Sequence, residues 1–219
     1  MVSSSKGCAV LSRAKAIVLV TGLIGLGAGF AAFYWTGGLS SNPAVAACAA
    51  AKPVATAMSP LAHGEVAAFR VTETPALATN LRFKAPDGRD LTLADFRGRT
   101  ILLNLWATWC APCRHEMPAL DKLQATLGGE KFEVVAINID TRNPERAETW
   151  LRDTGIRNMA HYSDVSGKVF QDLKAVGRAF GMPTTLLIDG NGCELGHISG
   201  PAEWASDDAL KLIRTALAR

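Results

Sequence analysis

The fold of this chain is decided by residues 101–118, which read Ile101-Leu-Leu-Asn-Leu-Trp-Ala-Thr-Trp-Cys110-Ala-Pro-Cys113-Arg-His-Glu-Met-Pro118. The apolar run from Thr100 to Ala107 predicts a β-strand that is buried on both faces. Apolar residues at helical spacing then predict a helix from Ala111 to about Leu127. The two cysteines at this strand–helix junction lie about one helical turn apart, so they can close a small, reversible disulfide.

The position of Cys110 at the start of the predicted helix favours its thiolate. Unpaired backbone N–H groups and the helix macrodipole both stabilise negative charge there, and the thiolate is the attacking species in disulfide exchange. The alternative for Cys110 and Cys113 is half of a structural zinc site. Zinc needs four ligands, and no second Cys-x-x-Cys or His-x-x-x-His follows in the sequence, so the pattern favours redox chemistry.

The flanking sequence alternates strand and helix patterns, which predicts an α/β domain whose sheet is part parallel and part antiparallel. Residues 81–83 and 91–93 alternate apolar and polar side chains around Asp87-Gly88, which predicts a hairpin. Further strands are predicted at 132–139, 159–162, 184–188 and 193–198, and further helices at 144–155, 167–176 and 207–218.

Composition sets the class of protein. The chain has 219 residues, of which 48% are hydrophobic and 20% charged, as expected for one globular domain with an appendage. Its formal charge of +3 comes from 23 Lys and Arg against 20 Asp and Glu. This charge is small and scattered, so the sequence does not suggest nucleic-acid binding.

The appendage is N-terminal. Ala16 to Trp35 is uncharged and long enough to cross a bilayer as a helix. Lys6, Arg13 and Lys15 precede it, so the positive-inside rule places the N-terminus in the cytoplasm. We therefore predict a cytoplasmic tail over 1–15, a transmembrane anchor over 16–35, a flexible Ala-, Ser- and Pro-rich linker over 36–64, and the folded domain over 65–219.

Two alternatives to an uncleaved anchor stay open. Ala44-Val45-Ala46 offers a small-residue signal-peptidase site, and residues 45–48 resemble a lipid-attachment box ending in Cys48. All three alternatives deliver the domain to the same extracytoplasmic compartment.

Two motifs carry a resemblance to a known family. The stretch from Leu105 to Cys113, together with Gly181-Met-Pro-Thr-Thr-Leu-Leu-Ile-Asp189, resembles the thioredoxin superfamily. With the N-terminal anchor, the chain is similar to the membrane-anchored branch that includes the TlpA, ResA and CcmG types. This resemblance implies a thioredoxin-like fold, in which helices flank a central mixed sheet. It also implies an N-terminal hairpin, and a strand–helix insertion around residues 130–155.

The resemblance assigns roles to individual residues. Cys110 is expected to be the exposed attacking thiol and Cys113 the buried resolving thiol. Pro183 is expected to follow a cis peptide bond beside the disulfide and to leave a backbone edge for substrate pairing. Trp106 and Trp109 are expected to pack around the site.

The sequence offers one candidate for a proton carrier at the site. Thioredoxin itself has a buried Asp six residues before its first cysteine, where this chain has Asn104, which cannot take a proton. Glu116 lies where the anchored branch has a glutamate, so it is a candidate for proton transfer or for tuning the thiol pKa. The alternative for Glu116 is a solvated helix residue.

The remaining cysteines are Cys8, Cys48 and Cys193. If Cys110 pairs with Cys113 outside the cytoplasm, Cys48 and Cys193 are left for each other. The resemblance supports this structural disulfide, whereas lipidation of Cys48 excludes it. Cys8 is expected to lie free in the cytoplasm.

The resemblance also implies a function. It indicates an extracytoplasmic thiol:disulfide oxidoreductase, monomeric and without a cofactor or metal, anchored in a bacterial inner membrane with its catalytic domain in the periplasm. The expected activity is reduction of cysteine pairs in copper- or haem-binding assembly proteins during cytochrome oxidase or cytochrome c biogenesis. A membrane thiol reductant is expected to recharge it.

Two other functions use the same cysteine pair. A chaperone for oxidase assembly could hold Cu(I) between the two thiolates. An oxidant or isomerase of secreted proteins would use the same exchange in the opposite direction.

Overall fold

The computed structural model describes residues 42–218, and its centre is one eight-stranded sheet. The strands are β1 (Arg70–Val71), β2 (Arg82–Lys84), β3 (Asp90–Thr92), β4 (Thr100–Trp106), β5 (Phe132–Asn138), β6 (Tyr162–Ser163), β7 (Thr184–Ile188) and β8 (Glu194–Ser199). Their order across the sheet is β1-β8-β7-β4-β5-β6-β2-β3. Residues 44–218 form one compact unit.

Strand β4 lies at the centre of this sheet. It pairs in parallel with β5 and antiparallel with β7, and all of its residues are buried. Both faces of β4 are covered, which explains why its sequence is almost continuously apolar rather than alternating. The predicted mixed sheet is therefore confirmed.

Within residues 42–218, six α-helices accompany the sheet. They are α1 (Pro43–Ala46), α2 (Lys52–Met58), α3 (Ala111–Leu127), α4 (Glu145–Asp153), α5 (Lys168–Ala175) and α6 (Asp207–Leu217), and short 3-10 turns cover Ala49–Ala51, Ser59–Leu61, Gly64–Val66 and Leu93–Phe96. Ser206 is the N-cap residue of α6, and its hydroxyl accepts a hydrogen bond from the N–H of Ala209. Its buried face includes Leu212 and Ile213, so the predicted amphipathic helix is confirmed.

The predicted N-terminal hairpin is also confirmed. Strands β2 and β3 pair antiparallel, with Phe83 opposite Leu91, and Gly88 in the connecting turn has a positive φ of 83° that glycine adopts without strain. The hairpin joins the sheet through Lys84 of β2, which pairs with Ser163 of β6.

The prediction of a flexible linker is wrong for the described part of that segment. Residues 43–61 are largely helical, and Cys48, Ala51 and Met58 are buried in the hydrophobic core. Alanine has the highest helix propensity, and Pro53 lies in the first turn of α2, where proline is tolerated. An Ala- and Pro-rich composition is therefore compatible with a packed helix, and the folded unit begins well before residue 65.

The predicted tail (1–15) and anchor (Ala16 to Trp35) lie outside the described residues. Between residues 42 and 218, no helix has the length and hydrophobicity needed to cross a membrane.

A disulfide ties the N-terminal helices to the sheet. Cys48 is bonded to Cys193, at a Cα–Cα distance of 5.7 Å and a sequence separation of 145. Cys193 lies immediately before β8, in the connection between β7 and β8, and both cysteines are buried. The thiol of Cys48 is thus engaged in the fold rather than available for a lipid.

Candidate active site

Cys110 and Cys113 lie at the junction between β4 and α3. Cys110 is the N-cap residue of α3, and its Sγ accepts a hydrogen bond of 3.3 Å from the backbone N–H of Cys113. The two cysteines are disulfide-bonded, with a Cα–Cα distance of 5.3 Å. The donors at the start of this 17-residue helix therefore point toward the sulfur of Cys110.

The two cysteine residues differ only slightly in exposure. Cys110 is 5% exposed and Cys113 is 0% exposed. The order agrees with an attacking Cys110 and a buried Cys113, but the expectation of an openly exposed Cys110 is wrong. Its Sγ is bonded to Cys113 and lies over the first turn of α3, so only an edge of the residue reaches solvent.

Pro183 lies at the same end of the sheet. The Met182–Pro183 peptide bond is cis, and Thr184, the next residue, pairs with Leu105 of β4. The carbonyl of Pro183 accepts a hydrogen bond from the N–H of Gly200 at 2.9 Å. Residues 181–184 are thereby held next to the end of the strand that leads to Cys110.

A buried carboxylate fixes the loop before Cys110. The backbone N–H of Thr108 donates to both carboxylate oxygens of Asp140, at 3.3 and 3.1 Å. The Nδ2 of Asn138 also donates to Asp140, at 2.9 Å. Asp140 was not identified from sequence. Its signal is an acidic residue directly after a buried parallel strand, where α/β proteins often place functional side chains.

Glu116 is a buried residue, not a solvated one. It is 2% exposed, and its Oε1 accepts a hydrogen bond of 2.7 Å from Nδ2 of Asn104. Its Oε2 accepts one of 3.1 Å from the N–H of Ala202. Glu116 lies three residues after Cys113 on α3, so the two side chains lie on the same face of the helix.

Burial changes the protonation of Glu116. Loss of solvation raises the pKa of Glu116 to about 7, although the hydrogen bonds from Asn104 and Ala202 act in the opposite direction. The indole N–H of Trp204 lies near enough to lower this pKa further, but its geometry falls short of a hydrogen bond. A carboxyl group with this pKa can either release or accept a proton near neutral pH.

Glu116→Gln is expected to change both the pH dependence of exchange and that of stability. The wild-type exchange rate should show an inflection near pH 7 that the variant lacks, as measured by stopped-flow reaction of the reduced protein with a peptide disulfide. The raised pKa stabilises the folded state only while Glu116 is protonated. The unfolding free energy of the oxidised wild type should therefore fall by about 3 kcal/mol relative to the variant as pH rises from about 4.5 to 7.

The matched control for this prediction is Glu130→Gln, which removes an exposed carboxylate beyond the end of α3. This variant should keep the wild-type inflection. An unchanged pH profile in Glu116→Gln would exclude a proton role for Glu116.

The two tryptophans before Cys110 behave differently. Trp106 is fully buried and packs against Trp150 at a centroid distance of 5.4 Å, as predicted. The prediction that Trp109 packs around the site is wrong, because Trp109 is 65% exposed. It belongs to the loop between β4 and α3, outside the sheet, and projects into solvent beside Cys110. Phe180, two residues before Met182, is 79% exposed and was not identified from sequence.

The described residues contain no cluster of three or more His, Cys, Asp or Glu side chains that could hold a metal ion.

Comparison with known proteins gives consistent results. The Redoxin family model matches residues 72–213. The thioredoxin-like protein YneN of Bacillus subtilis is 33% identical over 118 residues, which cover 52% of this chain and 65% of that protein. The thiol:disulfide interchange protein DsbE of Escherichia coli is 38% identical over 97 residues, covering 44% and 47%. This chain thus spans less than two thirds of each of these relatives.

A solved structure supports the fold. The thioredoxin-family thiol:disulfide interchange protein of Chlorobium tepidum is 26% identical, with a TM-score of 0.55, and the match covers 66% of this chain and 97% of that one. The described domain therefore has a thioredoxin-like α/β fold.

Proposed function

This chain belongs to the Redoxin family as a thioredoxin-like protein of the TlpA/ResA type, and we propose that it is a thiol:disulfide oxidoreductase acting through Cys110 and Cys113. The observation that carries the proposal is the position of this pair. The bonded cysteines lie at the N-terminus of α3, and the loop with the cis peptide bond before Pro183 lies at the same end of the sheet. The first feature stabilises a thiolate, and the second offers a backbone edge to a substrate.

The exchange has two steps. In the first, the Cys110 thiolate attacks one sulfur of a partner disulfide, so that a Cys110–partner bond forms and one partner thiolate leaves. In the second, Cys113 loses its proton and attacks Cys110, which re-forms the Cys110–Cys113 bond and releases the second partner thiolate. Two electrons pass from this chain to the partner.

Glu116 is the group that we assign to the proton of Cys113. Cys113 is fully buried, so its thiol must give its proton to a nearby group before it can attack. Glu116 lies one turn further along α3, and its pKa of about 7 lets it accept that proton. Asn104 holds the carboxyl group in place through its 2.7 Å hydrogen bond.

We assign the direction of transfer as reduction of the partner. A more strongly stabilised attacking thiolate makes a protein more oxidising, and the two residues between the cysteines, Ala111 and Pro112, add no positive charge. The partners that fit are cysteine pairs of haem- or copper-binding proteins in cytochrome c or oxidase assembly, and a membrane thiol reductant restores the dithiol. This choice of partners rests on the family resemblance.

The location that we propose is extracytoplasmic, with the domain held at a bacterial inner membrane by residues 16–35. Two observations support it. The apolar stretch follows three basic residues, and the buried Cys48–Cys193 disulfide is of a kind that persists in oxidising compartments.

The reductant assignment is tested by equilibrating the protein with glutathione redox buffers and measuring its free thiols by alkylation and mass spectrometry. We expect a two-electron transition with a midpoint below about −200 mV, on the reducing side of protein disulfide isomerase. A midpoint near −120 mV, which is typical of a strong oxidant, would overturn the reductant role.

A further inference from the structure

A groove opens beside the loop that carries Pro183. It has a volume of about 810 Å³, and its walls include Ala67, Ala68, Arg70, Arg178, Phe180 and His197. These residues come from the segment that leads into β1, from the loop before Pro183, and from β8. The groove lies next to the residues that place Pro183, and the exchange mechanism does not use it.

Strand pairing shows that the groove extends from the position of Pro183 across β8 to β1. Ser199, which also lines the groove, pairs with Thr184 directly after Pro183, and His197 on the same strand pairs with Arg70 of β1. Neighbouring strands lie about 4.8 Å apart, and the two residues from Ser199 to His197 add about 6.6 Å along β8, so Arg70 lies about 12 Å from Thr184. An extended peptide covers that distance in about three to four residues. A substrate segment that starts beside Pro183 can therefore reach Arg70.

The groove carries uncompensated positive charge. Glu194 is buried under the groove and accepts hydrogen bonds from Nε of Arg178 at 2.7 and 2.9 Å, so the charge of Arg178 is largely balanced. Arg70 is exposed and makes no ion pair within residues 42–218. None of the residues that line the groove is acidic. The charge available to a ligand is therefore that of Arg70.

The rim of the groove is apolar and held in place. Phe180, in the loop before Pro183, lines the groove and is 79% exposed. Exposed aromatic side chains of this kind often anchor protein partners. The loop is fixed by the Arg178–Glu194 pair and by a hydrogen bond of 3.2 Å from the hydroxyl of Ser199 to the carbonyl of Arg178. The rim is thus ordered before a partner binds.

We propose that this groove binds the segment of the partner protein that flanks its reacting cysteine, and that it selects an acidic residue about three positions from that cysteine. In the complex, an apolar residue of the segment covers Phe180, and the acidic side chain lies beside Arg70. The inference rests on the proposed thiol:disulfide exchange, since the flanking segment enters the groove only when the partner's disulfide meets Cys110.

The test compares two peptide disulfides that differ only in a Glu or a Lys three residues from the reacting cysteine. Stopped-flow rates are measured for the reduced wild type, for Arg70→Glu and for Arg82→Glu. Arg82 is a matched control, because it is also an exposed strand arginine but lies on β2, far across the sheet. The uncharged 2-hydroxyethyl disulfide serves as a reference substrate that cannot use the groove.

We expect the wild type and Arg82→Glu to reduce the Glu peptide about three- to tenfold faster than the Lys peptide at low salt. Arg70→Glu should reverse this preference and reduce the reference substrate at the wild-type rate. In 1 M salt the wild-type preference should collapse, because the screening length falls to about 3 Å.

The results that would contradict the groove differ from those that would contradict the exchange function. Equal rates for the two peptides with the wild type at low salt, or the same preference in Arg70→Glu as in the wild type, would overturn the groove assignment while leaving the exchange function intact. Failure of the wild type to reduce the reference substrate and both peptides would contradict the exchange function itself. If Arg70→Glu does not fold, Arg70→Gln and the wild-type salt dependence decide the question.

Discussion

Cys113→Ser is expected to stop the exchange halfway and to hold the partner as a mixed disulfide on Cys110. The first attack needs only Cys110, whereas release of the partner needs the thiolate of Cys113. Non-reducing gels and peptide mapping should therefore find a peptide substrate bound to Cys110. In contrast, Cys110→Ser should lower the rate of exchange by at least about a thousandfold, because serine replaces the attacking sulfur.

The control for these variants is Cys8→Ser, which removes the cysteine predicted to have no role and should exchange at the wild-type rate. Cys113 is fully buried, whereas Cys110 is slightly exposed. This difference in exposure is the structural reason for assigning the first attack to Cys110. A peptide trapped only through Cys113, in the Cys110→Ser variant, would reverse the assignment of the two cysteines.

Replacing both Cys48 and Cys193 by alanine should cost far more stability than breaking the active-site disulfide. The Cys48–Cys193 bond closes a loop with a sequence separation of 145, for which loop-closure entropy gives about 5 kcal/mol. The Cys110–Cys113 bond has a separation of 3, and the same relation gives about 1.6 kcal/mol. Since small domains are stable by about 5–15 kcal/mol, the first loss is severe.

Denaturant unfolding of the two double variants measures this difference directly. The matched control is Cys110→Ala with Cys113→Ala, which removes the same number of sulfurs from the described domain. Equal losses for the two double variants would mean that the Cys48–Cys193 bond does not constrain the unfolded chain. A count of free thiols in the denatured wild type would then show whether that bond forms at all.

The parts of this fold that sequence predicts best are those where local pattern and burial agree. Strand β4 is apolar on both faces, and α3 combines an N-cap, helical spacing and a following Gly128, so their bounds match the prediction closely. The β2–β3 hairpin is specified in the same way by alternation and by its Asp-Gly turn. At each of these places the local sequence and the tertiary environment favour the same structure.

The helices before β1 were predicted to be a linker, because amino-acid composition gives no information on tertiary contacts. An Ala- and Pro-rich segment is interpreted as a linker unless its apolar residues are known to contact a core, as Ala51 and Met58 do. Disulfide bonding of Cys48 to Cys193 places this segment against the sheet. Propensity alone could not show that this segment is folded.

The candidate site was predictable only in part for a similar reason. The Cys-x-x-Cys spacing is local, so the redox pair could be read from sequence. The burial of Glu116 depends on Asn104 and on the distant Ala202, and the exposure of Trp109 and Phe180 depends on where two separate loops project. Such properties arise from residues far apart in the chain, and no local pattern indicates them.

In the proposed exchange, Cys110 and Cys113 together pass two electrons to a partner disulfide. The most direct measurement mixes the reduced protein with one equivalent of a peptide disulfide, quenches with acid at intervals, and alkylates and weighs both products. We expect two thiols to disappear from the protein as two appear on the peptide, with the new protein disulfide joining Cys110 to Cys113. A protein that keeps both thiols while the peptide stays oxidised, or a final disulfide that leaves out either cysteine, would contradict it.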